Sequence, residues 1–172
     1  VTGFVTQVGE AFVGSGAEAA HLNTVLGMKG GPVETAWATA LATPGAGHTA
    51  FVTTLRPGIP AKPMTLFVNK ATLELEDHST MTWGPAQAGV ASGVLWAVAD
   101  GVIDPALVDD LLLIAAVWVS PEAADGDLVY ENNRRATRDA LAAGAARLPA
   151  LEDALAVRDA PLNAYWLPPG TV

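Results

Sequence analysis

The sequence predicts an α+β domain built on a single sheet with helices packed on it. Three observations carry this. Strand-like and helix-like segments alternate between Gly and Pro signals, with no internal repeat. One run, LLLIAAVWV from Leu111 to Val119, is apolar throughout and β-branched toward its end, as expected of a central strand covered on both faces. Finally, 172 residues suit one domain with one core.

In chain order, residues 5–13 and 20–26 read as two strands joined by the Gly14-Ser15-Gly16 turn. GGPVETAWATALAT then reads as an amphipathic helix. Pro32 stands at a favourable first position, Glu34 in the first turn, and Val33, Trp37, Ala40 and Leu41 form one apolar stripe. Residues 48–55 and 64–74 read as two further strands around the Pro-rich connection RPGIPAKP. Gly84-Pro85 and Gly101 punctuate the next helix, whose small residues suit close packing on a sheet. Asp104-Pro105 starts a helical turn. Ser120-Pro121-Glu122 opens the last long helical region, where Glu131 and Arg135 stand one turn apart. The domain is expected over residues 1–148, with 149–172 a C-terminal tail packed on it or on a neighbouring subunit.

Composition narrows the function. Hydrophobic residues make up 51% and charged residues 16%, against about 25% charged in an ordinary domain, which predicts a subunit interface. A net charge of −9 repels phosphate backbones and anionic lipids, so neither nucleic acid nor a membrane surface is an expected partner. The nine-residue apolar run falls short of the about 20 residues a membrane-spanning helix needs. With no cysteine and no signal-like start, a cytoplasmic location is expected.

Alternate strand residues share a face. His21, Asn23 and Val25 therefore point one way, and Lys70 and Thr72 share a face beside Val68. Gln87, two residues past Pro85, is expected at the open end of a helix. Each has a structural explanation as well: a hydrogen-bonded strand histidine, a snorkelling lysine, a strand-forming threonine, a helix-start glutamine. The spacing of His21, His48 and His78 argues against a metal centre. GSGAEA fits the loose dinucleotide pattern but is not followed by the helix that pattern requires.

Taken together, VGEAFVGSGAEAAHLN, the Gly-Pro-x-Glu-Thr-Ala segment from Gly31, KPMTLFVNKATL, WGPAQAGVA and the later PEAAD resemble the formaldehyde-activating enzyme family over roughly residues 5–145. The resemblance implies a ribosomal protein S5 domain 2-like fold and a homopentamer with its site between subunits. It also implies condensation of formaldehyde with tetrahydromethanopterin to the methylene derivative, with loss of water. The pterin is a co-substrate, and no permanently bound cofactor is implied.

Carried over by residue, the family's proton donor falls on His21. Its pterin-contacting lysine, threonine and glutamine fall on Lys70, Thr72 and Gln87, and a family leucine on Val52. A family aspartate that contacts substrate is here Asn23. The intermediate hydroxymethyl amine must lose hydroxide, a poor leaving group, and a general acid of imidazole type suits that step near neutral pH. The amide at Asn23 opens an alternative: a non-catalytic or altered-specificity homologue that binds a pterin, a folate or formaldehyde.

Overall fold

The computed structural model describes residues 4–163 and 166–169. It is an α+β fold with a mixed five-stranded sheet. β1 (Gln7–Val13) and β2 (Ala20–Met28) form the expected antiparallel hairpin, with Val13 opposite Ala20 and Glu10 opposite Asn23. Next to it, β7 (Leu111–Trp118) lies antiparallel to β2 and parallel to β6 (Met64–Asn69). The short β3 (Phe51–Val52) closes the far edge, giving the order β1-β2-β7-β6-β3. The continuous apolar run was therefore a sound sign of a central strand, but not of cover on both faces: Ile114, Ala116 and Trp118 are only half-buried on the face that carries His21. α1 (Pro32–Ala42) starts where Pro32 predicts.

Burial along β2 alternates strictly over its first six residues: Ala20, Leu22 and Thr24 are buried, His21, Asn23 and Val25 half-buried. The buried face packs on α3 (Gln87–Ala99) and α4 (Gly126–Ala146), where Leu22, Phe67, Ala115 and Val117 meet Val90, Val129, Ala136 and Ala140. The small residues of α3 serve helix–helix contact. A Cβ at Gly89 would stand 2.4 Å from the Tyr130 carbonyl oxygen, and one at Gly93 2.4 Å from that of Arg134. α1 contacts β2, β7 and β6, and its Val33 lies against Gly27 on the opposite face, leaving the end that holds His21 open.

Several boundaries differ from expectation. The predicted strand 48–55 is broken into β3, which joins the sheet, and β4 (Thr54–Arg56), which forms a separate hairpin with β5 (Ile59–Pro60) inside the Pro-rich connection. The strand predicted over 64–74 leaves the sheet at Asn69, whose side-chain amide donates to the Gly47 and Ala71 carbonyls and turns the chain. Lys70 and Thr72 thus do not share a strand face.

The helix expected from Gly84-Pro85 begins earlier, with α2 (Glu76–Met81). It continues through a wide π-turn over Thr82–Ala86 into α3. Pro85 lacks an N–H and would clash with a carbonyl one α-turn back, and the wider turn accommodates both effects. Gln87 consequently lies inside a helical run, not at its open end.

α4 is opened by Asp125, whose carboxylate accepts from the Asp127 and Leu128 amides, while residues 121 and 122 form a turn. Glu131 pairs with Arg134 at 3.3 Å, three residues on, in place of Arg135. The tail holds one further helix, α5 (Leu151–Ala156), exposed along its length; positions 164–165 and 170–172 of that tail fall outside the described residues. No helix among the described residues is long and apolar enough to cross a membrane.

Candidate functional site

The open half of the sheet gathers the first cluster. His21 and Asn23 project from β2 because the period of two sends their buried neighbours into the core. Glu10 and Phe12 stand opposite Asn23 and His21 on β1, hence on the same face. Lys70 follows β6, its amide still bonded to the Val117 carbonyl at 2.8 Å, so its side chain returns over the sheet.

The imidazole sits between opposite charges. Its Nε2 lies 3.0 Å from Glu10 Oε1, and its Nδ1 lies 3.4 Å from Lys70 Nζ. Lys70 Nζ donates to Asn23 Oδ1 at 2.8 Å. Burial holds the Lys70 ammonium below the ordinary lysine range, and the Glu10 carboxylate pulls the other way. The Phe12 ring is tilted against His21 with centroids 6.0 Å apart. A cavity of about 460 Å³ opens beside the ring, lined by Phe12, Ala17, Trp118, Ser120 and Glu122 among others.

Val52 and Gln87 belong to a second cavity, of about 400 Å³, with Phe51, Thr54 and the exposed indole of Trp83. Gln87 Oε1 accepts from the Thr54 amide at 2.6 Å, which ties the helical run to the hairpin. Val52 pairs with Leu66 across β3 and β6, four residues from Lys70, or about 13 Å along the strand.

Thr72 is held elsewhere. The His48 Nδ1 bonds to the Asn69 carbonyl at 3.0 Å, so its Nε2 is the acceptor for the Thr72 hydroxyl at 3.1 Å. His78 is buried with Nε2 on the Val119 carbonyl at 3.0 Å. The six expected site residues therefore fall in three groups: His21, Asn23 and Lys70; Val52 and Gln87; and Thr72 with His48.

Glu10, Phe12, Trp118, Trp83 and His48 were not expected at the site. Glu10 had a readable signal, since pairing the predicted strand ends Val13 and Ala20 already sets it opposite Asn23. Trp83 opens the WGPAQAGVA motif, but its place beside Val52 and Gln87 had no local signal, because it rests on the π-turn.

An imidazole between a carboxylate and an amine, beside a cavity of this size, is an arrangement able to exchange a proton with a small organic molecule. Comparison with known proteins specifies the family. The model of the formaldehyde-activating enzyme (Fae) family matches residues 8–165, and the chain belongs to that family.

The chain is 44% identical over 154 residues to a 5,6,7,8-tetrahydromethanopterin hydro-lyase of Methanosarcina barkeri, covering 90% of this chain and 86% of that protein. It is 42% identical over 135 residues to a bifunctional enzyme Fae/Hps of Methanosarcina mazei, covering 78% of this chain and 34% of that one. A bifunctional enzyme Fae/Hps of Methanosphaera stadtmanae is 37% identical over 155 residues, covering 90% and 38%. The chain thus spans little more than a third of these two-activity relatives.

Proposed function

We propose that this chain condenses formaldehyde with tetrahydromethanopterin, giving the methylene derivative and water. It is a carbon–oxygen hydro-lyase with two small-molecule substrates and no permanently bound cofactor. Formaldehyde and the methylene carbon stand at one oxidation level, so the step asks for positioning and a proton. His21 is the general acid for loss of the hydroxyl group. Asn23 and Lys70 hold the reacting end, and Val52, Thr72 and Gln87 hold the pterin. The observation that carries this reading is the contact of His21 with both Glu10 and Lys70 beside an open cavity.

Two copies complete the site, in a homopentamer of the kind the family resemblance implies. The separation of Val52 and Gln87 from the His21 cluster supports this. So do the exposed Val8 and Phe12, on the face that carries Glu10. The layout of one sheet with α3 and α4 on a single face also agrees with an S5 domain 2-like fold.

The test mixes protein, formaldehyde and tetrahydromethanopterin and compares methylene-product formation with the spontaneous rate, beside a parallel run with tetrahydrofolate. Acceleration with tetrahydromethanopterin is expected. Rates equal to the protein-free reaction for both would refute the assignment.

A further inference from the structure

The geometry points to Glu10 as a positioning residue that holds the His21 Nε2–H, so that the proton His21 delivers leaves from Nδ1, on the side of Lys70 and Asn23. The inference rests on the reading of His21 as general acid. Glu10 Oε1 is an acceptor 3.0 Å from Nε2, and a carboxylate facing one ring nitrogen keeps a hydrogen there in both the charged and the neutral ring. Nδ1 is then the atom that gains and loses a proton. Lys70 Nζ at 3.4 Å stands beside it, and Asn23 Oδ1 holds that amine at 2.8 Å. Ring protonation therefore places an N–H where Lys70 already presents a donor, and both can meet one oxygen.

The step balances without a further reactant. The Nδ1 proton passes to the hydroxyl oxygen of the hydroxymethyl amine, the C–O bond breaks with its electron pair on oxygen, and water leaves. The pterin nitrogen lone pair forms the C=N bond, and the ring stays neutral with Nε2–H still on Glu10. Glu10 on β1 and Lys70 after β6 contact the ring itself, while the cavity beside it is lined by Phe12, Trp118 and Ser120, with the Glu122 carboxylate as its charged group. Of the two carboxylates, Glu10 is the one in contact with the ring. Its side chain is 59% exposed on an edge strand, so replacing it leaves the core intact.

The experiment records ring-nitrogen NMR of ¹⁵N-histidine in the full-length protein across pH, with His21→Ala assigning the His21 signals, and measures kcat and KM in the same proteins. For the wild type, the neutral ring should show hydrogen on Nε2 and a bare Nδ1. Glu10→Ala should abolish that preference and lower kcat by about 10- to 100-fold, with the KM for pterin changed less than about threefold. It should also move the high-pH fall in turnover to lower pH, and Glu10→Asp should recover part of both effects.

A wild-type neutral ring with hydrogen on Nδ1 would overturn the inference, as would unchanged kcat in Glu10→Ala. Full turnover in His21→Ala would instead remove the acid reading, a failure the tautomer measurement separates from its own.

Discussion

Replacing Asn23 by Asp keeps side-chain size and the acceptor that Lys70 uses, but adds a negative charge to a cluster that now holds Glu10, His21 and Lys70. Two effects on stability oppose each other. The 2.8 Å contact between Lys70 and the side chain at position 23 would become an ion pair; such pairs stabilise by about 0.2–1 kcal/mol where side chains remain partly in water. Against it, Glu10 stands directly opposite position 23 on β1, and like charges there cost roughly 0.2–1 kcal/mol. The net change should stay within about 1 kcal/mol, or about 2–4 °C in Tm for a chain of this length.

Turnover should respond differently. A second carboxylate near the ring favours its charged form, and about 0.2–1 kcal/mol corresponds to a gain of about 1.4- to 5-fold in that form. The sign is toward higher activity at the upper end of the pH range, with the two proteins converging as pH falls. Lys70 should move back toward the ordinary lysine range, since the added charge opposes the effect of burial. The assay follows methylene-pterin formation from pH 6 to 8.5 beside a thermal melt. A ratio that does not change with pH, or a lower kcat at pH 8.5 with unchanged KM, would refute the reasoning.

Four further outcomes follow from the same geometry. His21→Ala should lower kcat by about 10²- to 10⁴-fold while pterin binding persists; matched losses in binding and melting temperature with normal kcat would return the residue to a structural role. Gln87→Ala removes the acceptor for the Thr54 amide, and should cost about 1 kcal/mol in urea unfolding together with a raised KM for pterin. Gly93→Ala forces a Cβ to 2.4 Å from the Arg134 oxygen and 2.7 Å from the Thr137 Cβ. Separating α3 from α4 should destabilise by about 1–3 kcal/mol in calorimetry, and an unchanged Tm would show the helix pair to be loosely packed. Light scattering should report a mass well above 17.6 kDa, and a monomer at all concentrations would remove the shared site.

What could be read directly were the features whose signal is local and periodic. His21 and Asn23 are placed by the alternation of β2, and β7 by an apolar run with no polar interruption. The misplaced features are those where a long-range contact overrides a local preference. Residues 70–74 continue the polar–apolar alternation and include the strand-forming Thr72, yet the chain turns at Asn69. The buried amide there bonds to Gly47, from a loop more than twenty residues earlier. Gly84-Pro85 reads as a helix start because proline is suited to the first turn, and nothing local announces that Glu76–Met81 precedes it without a break.

The same division explains why the site was half legible. A histidine on a strand stands out because an apolar residue would serve the sheet better, whereas Glu10 on the edge strand looks like an ordinary solvated charge. Its meaning appears only across the β1–β2 register, where it meets Asn23 and reaches His21. That pairing bears on the departure at position 23. The carboxylate in contact with the imidazole comes from the neighbouring strand, so an amide at 23 leaves the ring its counter-charge while still anchoring Lys70. Asn23 is therefore compatible with acid catalysis, and its replacement is expected to adjust the pH range of turnover more than to create activity.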